Sequence, residues 1–160
     1  VSTTQKARNI KVSKNQKYIT ASLLVKLGNA ISWYKNQSMK SIDLTASQSE
    51  AIQYILRNKD NKYITAADLM KNLELTQSTI AGIIRRLEKK NLIECTTAPD
   101  DKRQTIISVT PQSLKLEKQL QKTAVETEHI LLSGMSENEQ KEFCRLLGIA
   151  LENMNSIRNK

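Results

Sequence analysis

The 160-residue sequence predicts a mainly α-helical fold with one small β-hairpin. Three observations predict it. Apolar residues recur at three- and four-residue spacing along most of the chain, cap signals precede these stretches, and a single segment switches to β-branched residues around a polar turn.

Taken in order, Ile19, Leu23, Leu24, Leu27, Ala30, Ile31 and Tyr34 predict a long first helix over roughly 15–38. Thr45-Ala-Ser-Gln48 reads as a capping box, in which a hydroxyl and a side chain three residues on satisfy free backbone N–H groups. It opens a second helix carrying Ala51, Ile52, Ile55 and Leu56, which runs out in the polar stretch Asn58–Lys62. Thr65-Ala-Ala-Asp68 repeats the hydroxyl-plus-acid layout before a short third helix with Ala67, Leu69, Met70 and Leu73. A three-residue turn, Leu73-Glu-Leu75, leads to a fourth helix with Ile80, Ile83, Ile84 and Leu87 on one buried side. Leu92–Thr97 and Gln104–Val109 are the hairpin strands, joined by the charged tip Ala98-Pro-Asp-Asp-Lys-Arg103. Thr110 caps and Pro111 starts a long helix that runs through Leu114 to Leu132, since a missing N–H is harmless in the first turn. Ser136-Glu-Asn-Glu139 opens the last helix, marked by Phe143, Leu146, Leu147, Ala150, Leu151, Met154 and Ile157.

Helix, short turn, helix and hairpin in that order make a winged helix-turn-helix, flanked here by long helices. Those helices are strongly apolar on one face, more than a small winged core covers, so they are expected to be dimerisation helices, the alternative being that the three pack as a bundle within one chain. The expected organisation is a basic N-terminal arm at 1–14, a helical dimerisation region at 15–44 and 111–160, and a winged lobe at 45–110.

Composition narrows the function. One histidine, His129, and four glycines leave little for a zinc cage, a His-centred hydrolase or a phosphate-cradling loop, so no enzyme, metal or cofactor is expected. No apolar run is long enough for a membrane helix, and VSTTQKARNI has no hydrophobic signal core. Cys95 and Cys144 make no disulfide framework, which points to a cytoplasmic protein.

The net charge of +9 points to an anionic partner. Its placement is uneven. Residues 1–40 hold eight bases (Lys6, Arg8, Lys11, Lys14, Lys17, Lys26, Lys35 and Lys40) and no acid, residues 41–110 hold ten bases and nine acids, and residues 111–160 hold seven of each. The first quarter is either a solvated, solubilising stretch or an arm that touches phosphates.

The fourth helix carries the reason to expect double-stranded DNA. Opposite its apolar side stand Ser78, Gly82, Arg85 and Lys89, flanked by Ala81 and Arg86. That face is small near its start and basic further along, so its first turns suit a major groove. There Gln77, Ser78 and Thr79 reach base edges while Arg85 and Arg86 meet phosphates. Read alone, the same helix also suits a protein-binding module with solvated cations. The tip Asp101-Lys102-Arg103 offers an arginine to the narrow minor groove, with Asp101 placed to hold the guanidinium.

Leu44-Thr45…Gln48, Thr65-Ala-Ala-Asp-Leu69, Gln77-Ser-Thr-Ile80, Arg86-Leu-Glu-Lys-Lys-Asn-Leu-Ile93 and Pro99-Asp-Asp-Lys-Arg103…Val109-Thr110 resemble the MarR-type winged-helix regulators in order and spacing. The resemblance is close over about 44–112. It implies a homodimer with two winged lobes on a pseudo-palindromic operator, typically as a transcriptional repressor. It also implies that Gln77 to Arg86 is the recognition helix, Arg103 the minor-groove arginine and Asp101 its partner. The DNA-contacting set is then Thr65, Gln77, Ser78, Thr79, Ala81, Gly82, Arg85, Arg86, Lys89, Asp101, Lys102 and Arg103. Ala81 and Gly82 depart from the family's Thr and longer polar side chain. Either Gly82 lets the backbone approach closely, or specificity leans on Ser78, Thr79 and the wing.

By the same resemblance, the signal is a small aromatic acid, an oxidant or a metal. A metal site fits poorly with one histidine. For oxidants, Cys144 beside Phe143 is expected to pack, and Cys95 has no basic neighbour in sequence. Trp33, Tyr34 and Tyr54 are either core residues or the aromatic lining of a ligand pocket. The alternative function is a winged-helix module that binds protein or RNA rather than an operator.

Overall fold

The computed structural model describes residues 19–61 and 63–158, so the arm at 1–14 and the expected helix start at 15–18 lie outside the described residues. Within them run α1 (Ile19–Met39), α2 (Ala46–Arg57), α3 (Ala66–Leu73), α4 (Gln77–Lys89), β1 (Ile93–Thr97), β2 (Thr105–Val109), α5 (Pro111–Leu132) and α6 (Glu137–Arg158). A short 3-10 turn at Lys40–Ile42 separates α1 from α2. The contacts divide the chain into two compact units, one of residues 20–127 and one that holds the chain from Glu128 onward.

In the first unit the cap chemistry is as the sequence reads. The Thr45 hydroxyl accepts the Gln48 N–H and the Gln48 side chain accepts the Thr45 N–H, both at 3.3 Å. At α3 the Thr65 hydroxyl accepts the Asp68 N–H at 3.4 Å while the Asp68 carboxylate accepts the Thr65 N–H at 2.8 Å. At α5 the reciprocal partner is a serine. Thr110 Oγ1 accepts the Ser113 N–H at 3.2 Å and Ser113 Oγ accepts the Thr110 N–H at 3.1 Å. Such caps contribute about 1 kcal/mol each.

The turn between α3 and α4 is displaced by one residue from the expected Leu73-Glu-Leu75. Leu73 is still helical, Glu74 ends α3 in the left-handed region (φ 53°), and Thr76 caps α4 by accepting the Thr79 N–H at 3.3 Å. A left-handed residue stops a helix because its N–H turns back toward the last free carbonyls.

Helix α4 packs on α2, α3 and β1. Its Ile80 and Leu87 are fully buried, with Ile52 and Ile55 of α2, Leu69 of α3, and Ile93 and Ile107 of the hairpin completing the core. Truncating such a side chain to alanine costs about 2–5 kcal/mol, which makes α4 as much the keel of this unit as its exposed edge. Ile84, expected to be buried, is half-buried against the core, because it lies at the margin of the apolar stripe rather than its centre.

The strands pair antiparallel, Ile93 opposite Val109 and Cys95 opposite Ile107. The Ile107 N–H also donates to the Ile64 carbonyl at 2.7 Å, fixing the hairpin to the α2–α3 connection. At the hairpin base, Thr110 Oγ1 donates to the Asn91 carbonyl at 2.8 Å, where Asn91 takes a left-handed φ of 56° after α4. The corner between α1 and α2 is tied twice. Asn36 Oδ1 accepts the Ala46 N–H at 2.7 Å, and the Lys90 ammonium at the end of α4 meets both the carbonyl of Asp43 and, at 3.0 Å, its carboxylate. The C-terminal end of α4 is thus anchored to this corner.

In the second unit, Gly134 turns the chain with a φ of +83°, and Ser136 caps α6 by accepting the Glu139 N–H while Glu139 Oε2 accepts the Ser136 N–H at 2.7 Å. Cys144, expected to pack, is exposed in the single chain. The apolar spacing around it is shared between two sides of α6, and Phe143, not Cys144, points toward the more buried one. No helix among the described residues is long and apolar enough to cross a membrane.

Candidate nucleic-acid interface

Burial of Ile80, Ile83 and Leu87 decides which side of α4 faces outward. Gln77, Ser78, Thr79, Ala81, Arg85, Arg86 and Lys89 are all exposed, and Gly82 is half-exposed between them. The structure therefore brings these eight expected residues together on one helix. Among the described residues no carboxylate is ion-paired with Arg85, Arg86 or Lys89. Three unpaired cations on one helix are an electrostatic footprint for an anion.

The first turn of α4 holds a feature the sequence reading missed. Thr76 is its N-cap, and Thr76 Oγ1 lies 3.1 Å from Ser78 Oγ and 2.8 Å from Thr79 Oγ1. The hydroxyls expected to reach outward are therefore engaged with one another, leaving Gln77 as the polar side chain of this turn without such a bond. The hydroxyl one residue before the helix was the available signal, since Thr76 precedes the first helical position as Thr45 and Thr65 do.

Thr65 is half-buried and occupied in capping α3, its hydroxyl 2.7 Å from Asp68 Oδ2. Its hydroxyl and its backbone N–H are thus both engaged in the cap of α3.

At the wing tip, Asp101, Lys102 and Arg103 are exposed. The Asp101 carbonyl accepts the Gln104 N–H at 3.0 Å, closing a turn, and the Gln104 carbonyl accepts the N–H of buried Ala98 at 2.8 Å. Asp101 Oδ1 accepts the Arg103 backbone N–H at 3.0 Å and lies 3.7 Å from Arg103 Nε. The expected hold on the guanidinium is thus an ion pair beyond hydrogen-bond length, and the firmer grip is on the backbone. Arg103 itself reaches into solvent with 95% of its side chain exposed.

The three aromatic candidates divide. Trp33 is 65% exposed on α1, so it is no core residue of the single chain, whereas Tyr34 is half-buried and Tyr54 packs against the core from α2. A cleft of about 90 Å³ lies elsewhere, between the α2–α3 connection and β2, lined by Lys59, Asn61, Tyr63, Ile64 and Ile106 to Val109. Of the two thiols, Cys95 is half-buried in β1. Burial first, then the charge of Glu88 and a hydrogen bond to it, push that thiol from 9.0 up to about 11.

The model of the MarR family matches residues 42–104, which span α2, the helix-turn-helix, β1 and the wing tip. The regulator MgrA of Staphylococcus aureus is 23% identical over 128 residues, covering 80% of this chain and 84% of that protein. Over residues 42–104 the chain resembles the MarR family. Solved MarR-family structures share the fold over most of its length. The transcription regulator MarR from Oenococcus oeni superimposes with a TM-score of 0.71 at 27% identity, covering 82% of this chain and 98% of that one. The MepR–DNA complex of S. aureus superimposes with a TM-score of 0.80 at 24% identity, covering 86% and 99%.

Proposed function

We propose that this chain is a homodimeric MarR-family regulator, in the first instance a repressor, that binds a pseudo-palindromic site in duplex DNA. Helix α4 enters the major groove, Arg85, Arg86 and Lys89 meet phosphates, and Arg103 enters the minor groove from the wing. One observation carries this reading. The exposed face of α4 joins small residues to unpaired cations, beside a wing whose arginine is extended and fixed at its backbone by Asp101. The solved DNA complex of its structural neighbour MepR supports the same reading.

The dimer is built from 15–44 and 111–160, and the lobe at 45–110 reads DNA. Support comes from the apolar side chains the single chain leaves in solvent: Val25 and Trp33 on α1, Val125 and Ile130 on α5, and Leu146, Met154 and Ile157 on α6. Covering that area contributes roughly 25 cal/mol for each Å² removed from water. Trp33, Tyr34 and Tyr54 then line a pocket for a small aromatic ligand, with Trp33 as its exposed edge. The arm at 1–14 adds phosphate contacts, and the protein acts in the cytoplasm without a metal or cofactor and without catalysis of its own.

The deciding experiment compares wild type with Arg103→Ala on duplex DNA across a salt series. Weaker binding with a shallower salt dependence is expected. Unchanged affinity and slope would replace the operator reading with a module for protein or RNA.

A further inference from the structure

Nothing in the fold requires a glycine at position 82. Gly82 lies in the middle of α4 with a φ outside the left-handed region, and a β-carbon built on it meets no atom within 4 Å. A glycine in a helix interior is the less stable choice against alanine, because it fixes more backbone freedom and offers nothing to pack. The cause of its presence therefore lies outside this chain.

Its surroundings say what that cause is. Ala81 beside it is exposed and carries only a methyl group. One turn earlier, the Ser78 and Thr79 hydroxyls are drawn to Thr76; one turn later stand Arg85 and Arg86, and two turns later Lys89, none with a carboxylate partner among the described residues. The middle of α4 is thus bare of side-chain bulk and followed at once by free cations. That combination suits an anionic polymer whose surface comes close to the helix backbone.

We propose that Gly82 is a specificity-determining residue, its bare backbone seated against base-pair edges on the floor of the major groove. A β-carbon there holds α4 off the floor, so Gln77 and Ala81 lose their reach to the bases while Arg85 and Arg86 still meet phosphates. This rests on the DNA-binding reading and adds the depth at which α4 sits.

Gly82→Ala in the full-length protein tests it, against duplexes that the wild type selects from a random pool and against an unrelated duplex. The melting midpoint should rise by about 2–4 °C, since the helix gains a better former in open space. Affinity for the selected duplex should fall more than about tenfold, while affinity for the unrelated duplex stays within about twofold. A variant that keeps the selected-site affinity would overturn the proposal, as would an equal loss on both duplexes. A wild type that selects no sequence at all would remove the DNA-recognition reading, and this inference with it.

Discussion

Asp101 holds Arg103 chiefly by the backbone. Its Oδ1 accepts the Arg103 N–H at 3.0 Å, while the guanidinium Nε stands 3.7 Å away and the side chain points into solvent. Asp101 therefore sets where the arginine leaves the wing, not where its charged end rests. Arg103→Ala should lower affinity for duplex DNA by about tenfold or more. Asp101→Asn keeps an oxygen able to accept the same N–H, and should stay within about threefold of wild type. Asp101→Ala should fall between the two. Fluorescence anisotropy on one labelled duplex ranks all three, and an Asp101→Asn as weak as Arg103→Ala would show that charge, not the turn, is what matters.

The hairpin base makes a second prediction. Thr110 is 2% exposed, and its hydroxyl both donates to the Asn91 carbonyl at 2.8 Å and accepts the Ser113 N–H at 3.2 Å. Thr110→Val keeps the shape but leaves both groups without their partner in a place water reaches poorly. The cost is about 1–3 kcal/mol, and Thr110→Ser should recover most of it. Urea unfolding followed by circular dichroism should show a lower midpoint with an unchanged slope. Equal midpoints for valine and threonine would mean that the hydroxyl contributes nothing net.

Cys95 gives a pH dependence with a definite sign. Burial, then Glu88, raises the folded thiol from 9.0 to about 11, so the unfolded chain releases this proton first as pH rises. Stability from this group is fully present below pH 9 and is lost as pH rises through about 11. Cys95→Ala should therefore flatten the decline in melting temperature between those values. The same protonated thiol should be alkylated slowly at pH 8, because the thiolate is the nucleophile. Rapid alkylation of Cys95 in the native protein would contradict both expectations.

Much of this was legible in the sequence because it was local. Thr45, Thr65 and Ser136 announce their helices by a partner three residues on, and the period of Ile80, Ile83 and Leu87 alone turns α4's cationic side outward. What was not legible depends on geometry that spacing does not carry. Glu74 ends α3 with a positive φ, an unusual choice for a residue with a β-carbon, and no residue type marks it in advance. Lys90 bonding to Asp43, and the Ile107 N–H reaching the Ile64 carbonyl, join residues 47 and 43 positions apart. Ile84 and Cys144 were misplaced for a simpler reason. A helical stripe has margins, and neighbours on a helix do not share a face.

The last prediction concerns α6, where Leu146, Ile149 and Ile157 are 50%, 44% and 70% exposed. At 100° per residue these three share one side of the helix, so they form a stripe rather than scattered apolar residues. A second copy that covers the stripe removes it from water, and a carboxylate placed inside it must then be buried without a partner. In the proposed homodimer, Leu146→Asp should therefore shift the protein from dimer to monomer in sedimentation equilibrium at micromolar concentration. Lys141→Glu, an exposed charge outside the stripe, should leave the mass unchanged. The monomer should also lose the advantage of two lobes on one duplex, with affinity for a two-half-site duplex falling toward that for a single half-site. A Leu146→Asp protein that remains dimeric would mean that the stripe is not the interface, and the dimer would then have to be built on α1 and α5 alone.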